Sequence, residues 1–108
     1  MRRGEVRWYA FKAPDKKRPV LVLTRDSILD VLGEVTVAPI TSTIRQIPTE
    51  VILGPEEGMP QTCAVNLDHL QTVTKTKVGS LITTLDDVYL ERVKAALLFA
   101  LGFPASGH

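Results

Sequence analysis

The stretch DKKRPVLVLTRD, Asp15 to Asp26, decides how the rest of the chain is read. Its centre, Val20 to Leu23, is an aliphatic run closed by Thr24-Arg25-Asp26, with the length and β-branched content of a buried strand. Pro19 belongs at the first residue of that strand, where a missing N–H costs little. Lys16, Lys17 and Arg18 are thereby crowded at the mouth of a rigid element. Cations there are either solvated loop charges or positioned anion binders, and position alone leaves both readings open.

At 108 residues, 44% of them apolar, the chain is expected to be a single domain over residues 1–103 with one core and a flexible tail over 104–108. A single cysteine, Cys63, excludes an internal disulfide and a cysteine-based metal cluster. No run of about 18 apolar residues and no charged-then-apolar leader is present, which predicts a cytoplasmic protein with no membrane span. Net charge is only +1, which argues against a generic nucleic-acid coat. The charge is nevertheless uneven: residues 1–45 carry nine Lys/Arg against five Asp/Glu, and residues 46–108 carry four against seven. A local basic face on a near-neutral protein suits a short, specific contact with phosphates.

Outward from the quoted strand, Val6, Trp8 and Ala10 alternate with polar partners in EVRWYAF, a half-buried strand in which Trp8 reads as core packing. KAPDKK turns into PVLVL. SILDVLG reads as a one-turn segment and EVTVAPI as a further strand that ends, or becomes an edge, at Pro39. TEVIL alternates cleanly, GPEEGMP must turn, and QTCAVN is a short strand with Cys63 as a small buried residue. LDHLQTV bends into another strand piece, and VGSLITT is the last strand. Short, closely spaced strands predict a small, strongly bent antiparallel sheet or barrel. One helix follows, starting near Thr84 and Asp87, with an apolar stripe of Val93, Ala96, Leu97, Ala100 and Leu101 and Gly102 as its left-handed stop. Tyr89, Leu90, Leu98 and Phe99 add apolar surface outside that stripe, which suits either a subunit interface or a helix wedged deeply against the barrel.

The chemistry is bounded by what is missing: no HExxH, no Cys/His ligand spacing, no phosphate loop and no GxSxG elbow. Any chemistry must use Arg, Thr, Ser and His69, whose imidazole is the side-chain type suited to proton transfer near neutrality. VAPITST sets Thr41, Ser42 and Thr43 at the end of one strand, as DKKRP sets Arg18 at the start of another. If those strands are antiparallel neighbours, cation and hydroxyls converge at one rim; otherwise the hydroxyls cap a turn.

RRGEV, KRPVLVL, VAPITST, TEVIL, CAVNLDHLQTV and ITTLDD, in that order over roughly residues 2 to 101, resemble the MazF/PemK toxins of bacterial toxin–antitoxin systems. The resemblance implies a mainly β fold with helices, a small SH3-like barrel closed by a C-terminal helix, assembled as a homodimer. It also implies an endoribonuclease that cuts short sequences in single-stranded RNA without metal or other cofactor, and an antitoxin whose acidic and apolar segment covers the RNA groove. The catalytic arginine of the family maps to Arg18 and its threonine to Thr41, with Ser42 in the adjacent supporting position. Such an enzyme directs the neighbouring 2′-OH onto phosphorus, leaving a 2′,3′-cyclic phosphate and a 5′-OH, and neutralises the charge that grows on the phosphorane. Lys16, Lys17, Arg25, Arg45 and His69 are candidate RNA contacts, with a satisfied, half-buried imidazole as the alternative for His69. The family's longer, Gly-rich first connection is here reduced to KAPDKK, so neither the recognised sequence nor loop gating transfers. Two other readings stay open: a toxin of the same fold that binds DNA gyrase without cutting RNA, and a non-catalytic RNA- or peptide-binding barrel, against which the 6% aromatic content argues.

Overall fold

A computed structural model describes residues 1–10 and 17–104 of the chain. Lys16, most of the KAPDKK connection and the tail residues 105–108 lie outside the described residues.

The aliphatic run becomes β2 (Lys17–Val22), and it is buried on both of its faces: Val20, Leu21 and Val22 are each 0% exposed. Burial on two faces is why the run is continuous and does not alternate. Val20 and Val22 point into one cluster with Leu29, Val35, Val37 and Val73, while Leu21 points into a larger one with Val6, Ala38, Ile40, Leu53 and Val65. β1 (Glu5–Ala10) lies along one edge of β2 and β3 (Glu34–Thr41) along the other, both antiparallel. β4 (Glu50–Leu53), β5 (Cys63–Asn66), β6 (Gln71–Thr74) and β7 (Val78–Thr84) complete a seven-stranded sheet of order β4-β5-β3-β2-β1-β7, with β6 also on β3.

Pro39 does not end its strand. Along one edge β3 pairs with β6 through Glu34–Val37 and then with β5 through Ile40 and Thr41. Pro39 sits in the gap where the strand changes neighbour, a place where a missing N–H breaks no ladder on that edge. The sheet bends there, and two residues of strand survive beyond the proline. β2 likewise begins two residues before Pro19, because its ladder to β3 starts only at Val20.

α1 (Asp26–Leu29) is the expected single turn, and Leu29 plugs the smaller cluster. α2 (Asp87–Leu101) covers the larger one. Its cap is Asp86, whose carboxylate accepts from the Tyr89 N–H at 3.0 Å, and not Thr84 as the sequence spacing suggested. Gly102 closes the helix at φ 79°, its N–H and that of Phe103 donating to the Phe99 and Leu98 carbonyls. The buried stripe is also turned from the expected one. Tyr89 and Leu90 pack on the core with Val93, Ala96, Leu97 and Ala100, whereas Leu101 is exposed. The helix wraps the barrel from its first turn, so the stripe begins earlier and ends before Leu101.

The GPEEGMP turn is a 3₁₀ turn over Pro55–Glu57, stopped by Gly58 at φ 94°. The Glu57 carboxylate accepts from the Gly54 N–H at 2.7 Å, and the Thr83 hydroxyl donates to the Glu57 carbonyl at 2.8 Å, tying the turn to β7. A Cβ on Gly58 would lie 2.4 Å from Thr83 Oγ1 and 2.8 Å from Thr83 Cβ. Gly58→Ala is therefore expected to cost about 2 kcal/mol, read as a Tm roughly 10 °C lower in thermal melts. An unchanged Tm would mean that this turn is free to move away from β7.

Candidate active site

The register that buries β2 also builds the site. Val20 faces Pro39 at the end of the β2–β3 ladder, and two residues beyond it on the two strands stand Arg18 and Thr41, which line the same clefts. Strand periodicity keeps Val22, Val20 and Arg18 on one face of β2, and Val37, Pro39 and Thr41 on the matching face of β3. The face that packs valines in the core thus becomes, one step beyond it, a solvent-open cleft. Arg18, Pro39, Ile40, Thr41, Thr43, Arg45, Asn66, His69 and Gln71 line it.

A second cleft adjoins the first. Trp8, Lys17, Arg18, Pro19, Ile40, Thr41, Ser42, Met59, Pro60, Gln61 and Cys63 line it, so Arg18, Ile40 and Thr41 border both. The two strand ends form a ridge with a cleft lined mainly by polar residue types on one flank, called the polar cleft, and one with more apolar residue types, called the apolar cleft, on the other. Together the clefts carry Lys17, Arg18, Arg45 and His69, and no Asp or Glu among the described residues. An acid-free concavity with several cations is an attractive site for an anion.

The two residues of the ridge are prepared differently. Arg18 is exposed and makes no ion pair among the described residues, which leaves its guanidinium fork for an outside partner. Thr41 is half-buried, and its Oγ1 accepts from the Thr43 N–H at 3.1 Å. That bond consumes an acceptor position and leaves the hydroxyl proton for another oxygen. Ser42 is exposed and borders only the apolar cleft, on the strand side opposite Thr41's neighbours in the polar one.

Of the candidate contacts, Lys17 reaches the apolar cleft, and Arg45 and His69 the polar one. Arg25 is not brought to this ridge: it lines a separate cavity with Leu32, Leu70, Leu97 and Leu101, beside the end of α2. His69 is exposed and not half-buried, because it ends the 3₁₀ turn Leu67–His69, where Leu67 points inward in its place.

Trp8 corrects the core expectation. It belongs to neither buried cluster and stands half-buried on the wall of the second cleft. Alternation put it on the face of Val6, but at this position the strand has passed beyond the buried cluster and borders the second cleft, where the ring is available for stacking. Ala10 at the end of the strand is exposed. Cys63 is buried as expected. Burial, and then the nearby Glu57 charge, push its thiol up, and its Sγ lies 3.7 Å from the Leu53 carbonyl, which makes it a packing residue and a poor nucleophile. The sequence reading overlooked Asn66, Gln71 and Gln61, neutral amides with no motif of their own; position on the rim of the barrel is what makes them part of the site.

Comparison with known proteins then bears on this geometry. A family model described as PemK-like, MazF-like toxin of type II toxin–antitoxin system matches residues 2–101. The chain is similar to the probable endoribonuclease MazF2 of Mycobacterium tuberculosis, with 39% identity over 103 residues, 94% of this chain and 99% of the relative. Among solved structures it is similar to the Mycobacterium tuberculosis toxin MazF-mt6, with a TM-score of 0.85 and 33% identity over 93% of this chain and 98% of the other. It also resembles an endoribonuclease in complex with its cognate antitoxin from a Mycobacterial species, with a TM-score of 0.85 and 26% identity over 96% and 97%.

Proposed function

Since the chain belongs to the PemK-like, MazF-like toxins of type II toxin–antitoxin systems, and is an endoribonuclease of that class, we propose that RNA is cut on the ridge formed by Arg18 and Thr41. The observation that carries the proposal is a guanidinium with no ion pair among the described residues and a pre-oriented hydroxyl, bordering the same two clefts, which hold no acid among those residues.

A phosphodiester seated on the ridge has its flanking nucleotides directed to either side. Arg18 forks onto two non-bridging oxygens, and the Thr41 hydroxyl donates to the phosphate or holds it in line. The ribose 2′-oxygen loses its proton and bonds to phosphorus. The P–O5′ bond then breaks, and the departing 5′-oxygen takes up a proton, giving 2′,3′-cyclic phosphate and 5′-OH ends. Negative charge is greatest on the phosphorane, so fixed donors there lower the barrier more than they tighten the ground state. Ser42 supports the turn that carries Thr41, and Lys17, Arg45 and His69 hold flanking phosphates and bases, each lost cation flattening the salt dependence of binding. No metal enters this scheme.

We further propose that the chain assembles as a homodimer and is held inactive by a cognate antitoxin; a solved relative is an endoribonuclease in complex with its cognate antitoxin. No helix among the described residues is long and apolar enough to cross a membrane, and the site of action we propose is the cytoplasm, where the RNA is.

The test is incubation of the protein with a long single-stranded RNA in EDTA, followed by mapping of cut ends. Discrete cuts with 5′-OH termini are expected. Thr41→Val, which keeps the shape and removes the hydroxyl, should cut about 100-fold more slowly, and Thr41→Ser should retain most of the rate. Equal rates for Thr41→Val and the parent protein would remove Thr41 from the chemistry, and cuts that appear only with added divalent metal would overturn the scheme.

A further inference from the structure

We infer that Asn66 is a specificity-determining residue: its side-chain NH₂ hydrogen-bonds an acceptor on the edge of the RNA base lodged in the polar cleft, beside the scissile phosphate. The inference rests on the nuclease reading above and adds which group reads sequence.

Asn66 ends β5 and is 7% exposed; among the described residues only Thr49 is a comparably buried polar residue. Its Oδ1 accepts from the Asp68 N–H at 3.0 Å. A backbone N–H can only donate, so the atom turned to it must be the oxygen, and the amide's orientation is set by chemistry. The remaining polar atom, Nδ2, has no hydrogen-bond partner among the described residues and is not sealed in the interior, and Asn66 lines the polar cleft. Two N–H donors therefore face the space next to Arg18 and Thr41.

The mount is rigid. Asp68 Oδ2 accepts from the Thr49 hydroxyl at 2.6 Å, and the Leu67 N–H donates to the Thr49 carbonyl at 2.9 Å. The start of β4 and the 3₁₀ turn after β5 thus clamp Asn66 from both sides. Gln71 and His69 on the same cleft are exposed and must lose side-chain freedom on binding, whereas Asn66 has already lost it.

A base edge is the partner that this donor fits. Phosphates in the cleft have Arg18 and Arg45, whose charge a neutral amide cannot match. Bases of single-stranded RNA are splayed out and read along their edges by such side chains, and asparagine is a habitual reader. A base that brings a donor to Nδ2 leaves both groups desolvated and unpaired, which is a stronger filter than a lost contact.

Asn66→Asp tests the idea, because its carboxylate still accepts from the Asp68 N–H while replacing NH₂ by an acceptor. A random-sequence RNA pool is cut in EDTA by the parent protein and by Asn66→Asp, Asn66→Ala and Asn66→Ser. The 5′-OH ends are sequenced and thermal melts recorded; Asn66→Ser keeps a local acceptor if Asn66→Asp proves unstable. The expected result is that Asn66→Asp cuts parent sites at least tenfold more slowly and changes base preference at one position next to the cut. Asn66→Ala and Asn66→Ser should relax that same position. Unchanged base frequencies at every position, at full or uniformly lowered rate, would overturn the inference and leave Asn66 a structural residue. If the parent does not cut, or Arg18→Ala cuts equally well, the nuclease reading itself fails and takes this inference with it.

Discussion

Arg18→Ala is expected to slow RNA cleavage by about two to three orders of magnitude, measured as single-turnover rates on one oligonucleotide in EDTA. The reasoning is local. Arg18 is exposed and makes no ion pair among the described residues, so its removal orphans no partner among them, and the Tm should move by no more than the few degrees that about 0.5 kcal/mol of stability implies. Binding should weaken far less than the chemical step slows, because the guanidinium meets its full complement of charge only when the phosphorane forms. Arg18→Lys separates charge from geometry. Lysine keeps the cation and loses the planar fork, so an intermediate rate is expected. A rate for Arg18→Ala within threefold of the parent would show that the ridge is a docking surface and that cleavage happens elsewhere.

The second large effect concerns the strand that holds the ridge. Leu21→Ala is expected to destabilise the protein by about 3 kcal/mol in urea or thermal unfolding. Leu21 is 0% exposed and packs between Val6 and Ala38 on the neighbouring strands and the residues below α2, so the space it leaves has no side chain able to collapse into it. Leu81→Ala is the control. Leu81 is an equally large residue on β7 but 49% exposed, and its loss should fall within about 0.5 kcal/mol. A cost below about 1 kcal/mol for Leu21→Ala would contradict burial of β2 on both faces. Because Arg18 and Leu21 lie on one strand and face opposite ways, the two variants together separate loss of chemistry from loss of its mount.

Much of this was legible in the chain. The run Val20–Leu23 reads as a buried strand because only two-sided burial tolerates unbroken aliphatics, and the two glycines and two prolines of GPEEGMP force a turn whatever surrounds them. Gly102 stops α2 for an equally local reason. The ordered segments from RRGEV to ITTLDD carried the family, and with it the pairing of Arg18 and Thr41. These are properties of short windows or of their order, and a sequence contains both.

What failed were expectations that depend on neighbours. Pro39 was expected to end a strand or make it an edge; the strand runs on, and only locally, where β3 passes from β6 to β5, does Pro39 lack a partner on one side. Trp8 was assigned to the core by alternation, yet alternation reports only the face, and that face runs from the buried cluster out to the wall of the second cleft. Arg25 and Arg45 were equivalent as cations in a sequence; folding sends one to the end of α2 and the other to the polar cleft. Asn66 carried no signal at all, because an amide becomes a reader only when one end is tied down and the other faces a cleft. The sequence by itself determined the elements, their order and the chemistry they can offer. The tertiary structure alone decided which polar groups share a space, because convergence depends on register and on where one element stops covering another, and neither is encoded within a few consecutive residues.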